Sequence, residues 1–210
     1  MDILDCISTR RSIRRFAELP VEFEKIGNIL NAARDAPSAG NLQDWKFILI
    51  TEKDKINMIS KACFEQYWIA NAPICIVACV EPAKTKRYYG DKGDQFSIMN
   101  GSAAVQNMLL AIHHEGLASC WVGAFEEAML KRELGIPEDI LVIAVLPIGY
   151  PDEQVPKPTR FTLEDVTYIE RWDNRVKDMA AFMENYGEHV QKAVKKGKQL
   201  IESVARRLQK

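Results

Sequence analysis

The stretch Ala36-Pro-Ser-Ala-Gly-Asn-Leu-Gln-Asp-Trp45 separates a helical pattern from an apolar segment. It therefore marks where the helix before it ends and where the strand after it begins. Its proline and glycine stop the preceding helix, and Trp45-Lys-Phe-Ile-Leu-Ile50 has the composition of a strand. The hydrogen-bonding side chains Ser38, Asn41 and Gln43 lie among residues of little bulk, so a polar planar molecule can approach the backbone closely. An ordinary turn has a similar composition, so this stretch alone leaves both interpretations open.

The spacing of apolar residues outside this stretch predicts helices and strands that alternate along the chain. Helices are predicted over residues 2–9, 21–36, 53–70, 96–115, 125–134 and from 174 to the end, and strands over 45–50, 74–80, 117–122 and 140–148. The polar residues 81–95 are predicted to form a mobile surface loop, and residues 154–168 an extended arm. We therefore expect an α+β fold: a central mixed β-sheet between helical layers, with a C-terminal arm and an added C-terminal helix.

The composition is that of a globular enzyme with one good core. The 210 residues are 47% hydrophobic and 27% charged. No apolar run approaches the roughly 20 residues that cross a bilayer, and the N-terminus is acidic where a signal peptide would be basic. Five cysteines are an odd number and lie mostly in apolar patterns, which suits reduced thiols. These features predict a cytoplasmic protein without a structural disulfide or a membrane partner.

The charge is distributed unevenly. Residues 189–210 contain seven Lys or Arg and one Glu, a local +6, so the total of −1 leaves −7 for the rest. An acidic body argues against a nucleic-acid surface on the folded domain, because phosphate binding needs clustered Lys and Arg. The apolar stripe of the tail favours a helix that packs on a dimer over one that lies on a membrane, since aromatic anchors are absent beyond Tyr186.

A second polar feature is the arginine-rich turn formed by Arg10, Arg11, Ser12 and Arg14. A run of charge is usually solvated surface. Guanidinium groups beside a serine hydroxyl are nevertheless the groups that bind a phosphate monoester through several charge-assisted hydrogen bonds. Another basic segment, Lys157-Pro-Thr-Arg160, lies on the predicted arm. The two basic segments and the amide-rich loop can therefore converge on one anionic, planar, polyhydroxylated ligand.

At this point the sequence resembles the FMN-dependent nitroreductase family, from about Asp5 to Trp172. Four stretches occur in the order of that family: Arg10-Arg-Ser-Ile-Arg14, Pro37-Ser-Ala-Gly-Asn-Leu-Gln43 followed by Trp45, Gly116-Leu-Ala-Ser-Cys-Trp-Val-Gly123, and Ile148-Gly-Tyr-Pro151 with Arg160 beyond. Each stretch alone is a weak signal, and the four in order are a strong one.

The resemblance implies where FMN binds. Its phosphate and the polar edge of its ring would be held by Arg10, Arg11, Ser12, Arg14 and Arg160. The ribityl chain and the ring would meet Pro37, Ser38, Ala39, Asn41 and Gln43, and the ring would lie along Trp121, Val122, Gly123 and Ala124. The cofactor carries the chemistry, so no catalytic acid or base and no metal are expected.

The resemblance also implies an activity and an assembly. The expected enzyme takes hydride from NAD(P)H and reduces a small-molecule acceptor, such as a nitroaromatic or a quinone, in a ping-pong cycle. Members of the family are homodimers with both sites at the interface, so one group of cofactor-binding residues is expected from the partner subunit. The expected domains are an FMN-binding domain over 1–172 and a helical extension over 173–210.

Three features depart from the resemblance: Asp44 stands where the family usually has proline, Asn100 where it often has Asp, and the chain continues past Trp172. We expect Asp44 to loosen the turn and to place a negative charge near the site.

Two other functions stay open: a flavin-binding sensor or storage module without turnover, and a specialised reductive member of the dehalogenase or flavin-remodelling type.

Cys75 and Cys79 are interpreted as core residues, and Cys120 as a buried small side chain. His113 is read as the polar end of a helix.

Overall fold

A computed structural model describes residues 1–208, and the side chains of 188–190, 193, 197 and 199–208 lie outside that description. The chain forms two compact units, Met1–Lys157 and Pro158–Lys210. The expected domain boundary after Trp172 stays a prediction.

The first unit contains the helical and strand elements that build the sheet and its cover. Its elements are α1 (Ile3–Thr9), α2 (Phe23–Arg34), β1 (Trp45–Ile50), α3 (Lys53–Ala62), β2 (Ile74–Val80), α4 (Pro82–Tyr89), α5 (Gly93–His114), β3 (Ala118–Ser119), α6 (Glu127–Leu134) and β4 (Leu141–Gly149). The four strands form one sheet in the order β1-β2-β4-β3.

Neighbouring strands of this sheet pair antiparallel. The four strands therefore form an antiparallel sheet, and the one parallel pairing described beside it is an isolated bridge between Ser12 and Ser119, which places the arginine-rich turn next to β3. Strand β4 contains a bulge, since Ala78 pairs with Ala144 but Cys79 pairs with Val142. The α+β class with a central sheet is therefore confirmed.

Side chains of β2 alternate between two apolar layers. Even-numbered residues from Ile74 to Val80 pack with α2 and α5, and Cys75, Val77 and Cys79 pack with α3 and α6. Every residue of β2 is buried. This explains why the strand reads as an unbroken apolar run, and it produces the expected α/β/α arrangement with both cysteines in the core.

The expected surface loop over 81–95 was wrong, because most of this segment is helical. Pro82 occupies the first turn of α4, where its missing N–H costs nothing. Helix α4 packs closely on the start of α5, since a Cβ at Gly93 would lie 2.5 Å from the Cα of Lys86. A glycine at this contact lets the two helices approach closely. Helix α4 is therefore packed against α5 although its sequence is mostly polar.

Two predicted elements are shorter than expected. Helix α3 ends at Ala62 because Phe64 and Glu65 adopt left-handed backbone, with φ of 54° and 57°. The strand expected over 117–122 is reduced to β3, followed by a single bridge from Val122 to Val145.

The second unit contains α7 (Leu163–Val166) and α8 (Met179–Leu208). Helix α7 is a short helix within the predicted arm, and the side chains of Thr162 and Asp165 cap its N-terminus. Helix α8 confirms the expected C-terminal helix. Of its apolar stripe, Met183, Tyr186 and Val194 are exposed. The stripe positions Val190, Ala193, Ile201, Val204 and Leu208 lie outside the described side chains. Among the described residues, no helix combines the length and the apolar character needed to span a bilayer.

Candidate functional site

A cavity of about 350 Å³ lies where the end of α1 meets the C-terminal half of α5. Many of the side chains that line it are apolar, and the arginine-rich turn contributes Arg10 and Arg11. The lining residues are Thr9, Arg10, Arg11, Ile13, Leu109, Ile112, His113, Leu117, Ala118, Ser119, Pro151, Glu153, Gln154 and Val155. The structure thus places Arg10 and Arg11 on one cavity wall, as a ligand-binding role requires.

Two polar atoms in this cavity wall lack hydrogen-bond partners. The terminal Nη1 of Arg11 donates to the carbonyls of Ser8, at 2.9 Å, and Arg10, at 2.8 Å. Among the described residues, Arg11 Nε and Ser119 Oγ are the buried side-chain N and O atoms without a partner. A buried donor left unpaired costs free energy, so each of these atoms suits an oxyanion as its acceptor.

The arginine-rich turn is fixed by its backbone rather than by its charges. The N–H of Ile13 donates to the carbonyl of Ser119 at 3.1 Å, which joins the turn to β3. Glu153 Oε1 accepts the N–H groups of Arg14, at 2.6 Å, and Arg15, at 3.1 Å. These contacts hold the turn without using the guanidinium groups.

The guanidinium of Arg14 lies apart from those of the cavity wall. Its Cζ sits 5.8 Å from the ring centroid of Trp68, in a cation–π contact. Among the described residues that line the cavity, Arg14 and Ser12 do not occur. Ser12 pairs with Ser119 through the backbone, so it lies next to a residue that lines the cavity.

His113 is a cavity residue rather than only the polar end of α5. Thr9 Oγ1 donates to the carbonyl of Asp5 at 2.6 Å and lies within hydrogen-bond distance, 2.8 Å, of His113 Nε2. Partial burial and the nearby charges of Arg10 and Arg11 hold the pKa of His113 below its usual value. These effects favour the neutral ring.

We expect the H113Q variant to lose less stability in acid than the wild-type protein. A histidine whose pKa is lowered by folding contributes stability that is fully present above its unfolded-state pKa of 6.5, and this contribution is lost as the pH falls from 6.5 through the lower folded-state pKa. Glutamine keeps a hydrogen-bonding group near Thr9 and does not titrate. Urea unfolding of both proteins at about pH 8 and about pH 5 measures the difference; equal losses for the two proteins would contradict it.

The amide-rich loop, residues 37–43, contains three residues with a left-handed backbone conformation. Gly40, Asn41 and Gln43 have φ of 57°, 57° and 47°. Ser38 Oγ accepts the N–H of Gln43 at 3.1 Å, and Gln43 Nε2 donates to Asn41 Oδ1 at 3.1 Å. The side chains of Asn41 and Gln43 are exposed, as is Pro37. The loop thus presents amide groups outward from a tightly turned backbone.

The expectation that Asp44 loosens the turn was wrong, because this residue fastens it. Its side chain is fully buried at 0% exposure. It accepts hydrogen bonds from the hydroxyl of Ser97 and, at 2.7 Å, from Asn100 Nδ2. Its own carbonyl accepts the N–H of Glu81 at 2.9 Å. A buried carboxylate with these donors holds the loop to α5, and the expected negative charge near the site stays a prediction.

The Trp-Val-Gly segment divides between core and surface. Val122 exchanges backbone hydrogen bonds with Val145 at 3.0 and 2.9 Å, and its side chain is buried. Trp121 packs against the cluster under α2 and α5. Gly123 and Ala124 are exposed and Trp121 is half-buried, so a ligand can reach this segment on either side of Val122.

The structure brings some of the predicted site residues together and leaves others apart. Among the described lining residues of the cavity, the loop at 37–43 and the segment at 121–124 are absent. Arg160 is exposed and belongs to the second unit. Its role at the phosphate stays a prediction.

Most of the lining residues were not predicted as site residues, and among the polar ones are Ser119, His113 and Glu153. Ser119 lies inside a motif that was recognised, so its hydroxyl was a detectable signal. His113 and Glu153 gain their roles only from partners far along the chain, Thr9 and the backbone of Arg14.

With this geometry in place, comparisons with known proteins identify the family. The model of the nitroreductase family matches residues 7–71 and 60–150, which together cover more than half of the chain. The chain belongs to the nitroreductase family. An Archaeoglobus fulgidus member with the provisional name NADH dehydrogenase/NAD(P)H nitroreductase is 38% identical over 157 residues, 73% of this chain and 87% of that protein.

Two further nitroreductase-family relatives extend the comparison. The FMN reductase (NAD(P)H) of Bacillus subtilis is 25% identical over 209 residues, which cover 93% of this chain and 84% of the relative. The solved structure of an FMN-dependent nitroreductase from Clostridium difficile superposes with a TM-score of 0.70 at 27% identity, covering 80% of this chain and 99% of the other. The fold of this nitroreductase-family chain is therefore shared along most of its length.

Proposed function

We propose that the protein is an FMN-dependent oxidoreductase that takes hydride from NAD(P)H and reduces a small-molecule acceptor, such as a nitroaromatic or a quinone. The observation that carries the proposal is the pair of partnerless buried atoms, Arg11 Nε and Ser119 Oγ, in an arginine-lined cavity of a nitroreductase-family fold. The names of the Bacillus subtilis and Clostridium difficile relatives support the cofactor and the donor.

The residues of the cavity fit the phosphate of FMN. Arg10 and Arg11 supply positive charge and a planar donor fork, and Ser119 supplies a hydroxyl. Glu153 and the bridge at Ser12 keep the turn in place, so these donors are positioned before a ligand binds. We assign Arg14 and Arg160 to the same end of the cofactor by resemblance.

The remaining predicted residues fit the sugar chain and the ring. When bound, FMN supplies the redox chemistry, accepting hydride from the nicotinamide and passing reducing equivalents to the acceptor. Ser38, Asn41 and Gln43 offer amide and hydroxyl groups to polar ligand atoms. Gly123 and Ala124 leave their backbone accessible, whereas Val122 contributes packing below the surface. The chain's own part is to bind, orient and exclude water.

We propose that the active form is a homodimer in which the loop at 37–43 of one subunit completes the cavity of the other. Within one subunit, residues 37–43 are not among the described residues that line the cavity. Helix α1 also exposes Ile3, Leu4 and Ile7 at 60%, 71% and 54%, a surface that a second subunit would cover. Sedimentation equilibrium of the protein tests the assembly.

The five free cysteines support a reducing compartment such as the cytoplasm.

A spectrum of the purified protein, followed by anaerobic titration with NADH and NADPH, tests the proposed function. We expect a flavin absorbance band that bleaches on titration, and reoxidation when a nitroaromatic or quinone is added. A protein that takes up no FMN on reconstitution would refute the proposal. Bound flavin that no nicotinamide reduces would instead favour a storage or sensor module.

A further inference from the structure

We propose that Asp44, Ser97 and Asn100 form a positioning network that holds the loop at 38–43 in its ligand-binding conformation before FMN arrives. The inference deepens the proposed function and rests on it for the identity of the ligand. The network itself consists of hydrogen bonds within one subunit, so it can be measured in the protein without cofactor.

The amide group of Asn100 connects the loop to α5, because its nitrogen and its oxygen both form hydrogen bonds with loop residues. Asn100 Nδ2 donates to Asp44 Oδ1 at 2.7 Å, and Asn100 Oδ1 accepts the backbone N–H of Ala39 at 2.8 Å. The hydroxyl of Ser97 donates to the other oxygen of Asp44. Asp44, Ser97 and Asn100 are 0%, 0% and 4% exposed, so these bonds are shielded from water.

The loop needs such support because its backbone is strained. Asn41 and Gln43 adopt left-handed φ angles, which side chains with a Cβ rarely adopt. Conformations of this kind persist where surrounding contacts over-determine them, and they concentrate at ligand sites. Asn100 holds the loop at Ala39 and Asp44 holds it at the far end. Both attachments are made by one face of α5, since Ser97 and Asn100 are three residues apart.

The residue types at positions 44 and 100 depend on each other. Asp44 faces two donors, and a carboxylate can accept on both oxygens. Asn100 donates to Asp44 and accepts from Ala39, which its amide group can do. An asparagine at position 44 with Asn100 unchanged must turn its oxygen to Asn100, so its NH2 group faces Ser97, whose hydroxyl must change from donor to acceptor. The charge-assisted hydrogen bonds of the carboxylate are then lost. An aspartate at position 100 with Asp44 unchanged sets two carboxylates in contact.

Exchanging the two residues restores the pattern in reverse. In the double variant D44N/N100D, the new amide at position 44 accepts from Ser97 and donates to the carboxylate at position 100. That carboxylate still accepts the N–H of Ala39. All three hydrogen bonds are regained, and the total charge of the buried group is unchanged.

The test compares D44N, N100D and D44N/N100D with the wild-type protein, with FMN as the probe. We expect each single variant to raise the FMN dissociation constant about tenfold, and the double variant to return within about threefold of wild type. Quenching of FMN fluorescence gives the constants. In the cofactor-free proteins, we expect the Ala39 amide to exchange with solvent about tenfold faster in both single variants and at the original rate in the double variant.

A milder pair of variants covers the case in which a single variant fails to fold. S97A removes one hydrogen bond from Asp44, and S60A removes a similarly buried serine hydroxyl from α3, where it donates to Asn57. We expect S97A to raise the FMN dissociation constant about threefold and S60A to leave it unchanged.

Two results would overturn the network as a positioning device: a double variant no better than the singles, or faster exchange at Ala39 with unchanged FMN affinity. If the wild-type protein binds no FMN at all, the proposed function fails. The exchange rates at Ala39 still decide the network in that case, so the two failures are distinguishable.

Discussion

Replacing Arg11 with alanine is expected to raise the dissociation constant for FMN by about 100-fold, the largest effect of a single side chain on cofactor binding. The Arg11 guanidinium reaches the cavity with a buried Nε that has no partner among the described residues. Removing it leaves a phosphate with one fewer charge-assisted donor in a partly enclosed site. Titration of the cofactor-free variant with FMN, followed by fluorescence quenching, measures the change.

Arg15 is the matched control for Arg11. It belongs to the same basic run, but its side chain is 70% exposed and pairs with Asp152 at 3.3 Å on the surface. We expect R15A to change FMN affinity by less than about twofold, because exposed ion pairs contribute little. Equal losses for R11A and R15A would show that general positive charge, rather than the cavity donors, attracts the cofactor.

Replacing Gly93 with alanine is expected to destabilise the fold by about 3 kcal/mol, a large effect for the addition of one carbon atom. The added Cβ would meet the backbone of Lys86, 2.5 Å from its Cα, where no side-chain rotation relieves the contact. Helices α4 and α5 would have to separate. The free energy of unfolding in urea, compared with wild type, measures the cost.

Gly27 offers the same substitution without the contact. It lies within α2, and a Cβ there meets no atom within 4 Å. We expect G27A to stabilise the protein by about 1 kcal/mol, since alanine favours helix over glycine. Two Gly→Ala changes in helices would then differ in sign. A stabilised G93A variant would mean that the contact between α4 and α5 is not as close as described.

The elements that could be predicted are those whose signal is local. Strand β2 is apolar at every position because both faces are covered, and this pattern is visible without knowing what covers it. The stop after α2 and the start of β1 are marked by proline, glycine and Trp45. The arginine-rich turn is recognisable in the sequence by its concentration of positive charge. Such features need only neighbours in sequence, so the α+β class followed from them.

What escaped prediction depends on contacts between distant residues. Asp44 was expected to loosen its turn, because the residues beside it show only that a proline is missing. Its partners Ser97 and Asn100 are 53 and 56 positions away. His113 and Thr9 are 104 positions apart. Helix α4 was mistaken for a loop because it is polar on most of its surface and its buried contact is made by a glycine.

The thiols in the second core cluster have a consequence for chemical durability. Burial raises the pKa of Cys63 to about 12 and that of Cys79 to about 11, and it raises the pKa of Cys75 still further. Only a thiolate attacks an electrophile at an appreciable rate. Quinones arylate accessible thiolates, so the proposed activity on quinones would expose the protein to its own acceptor. With these three sulfurs protonated inside the core, the protein can meet such acceptors repeatedly without being arylated there.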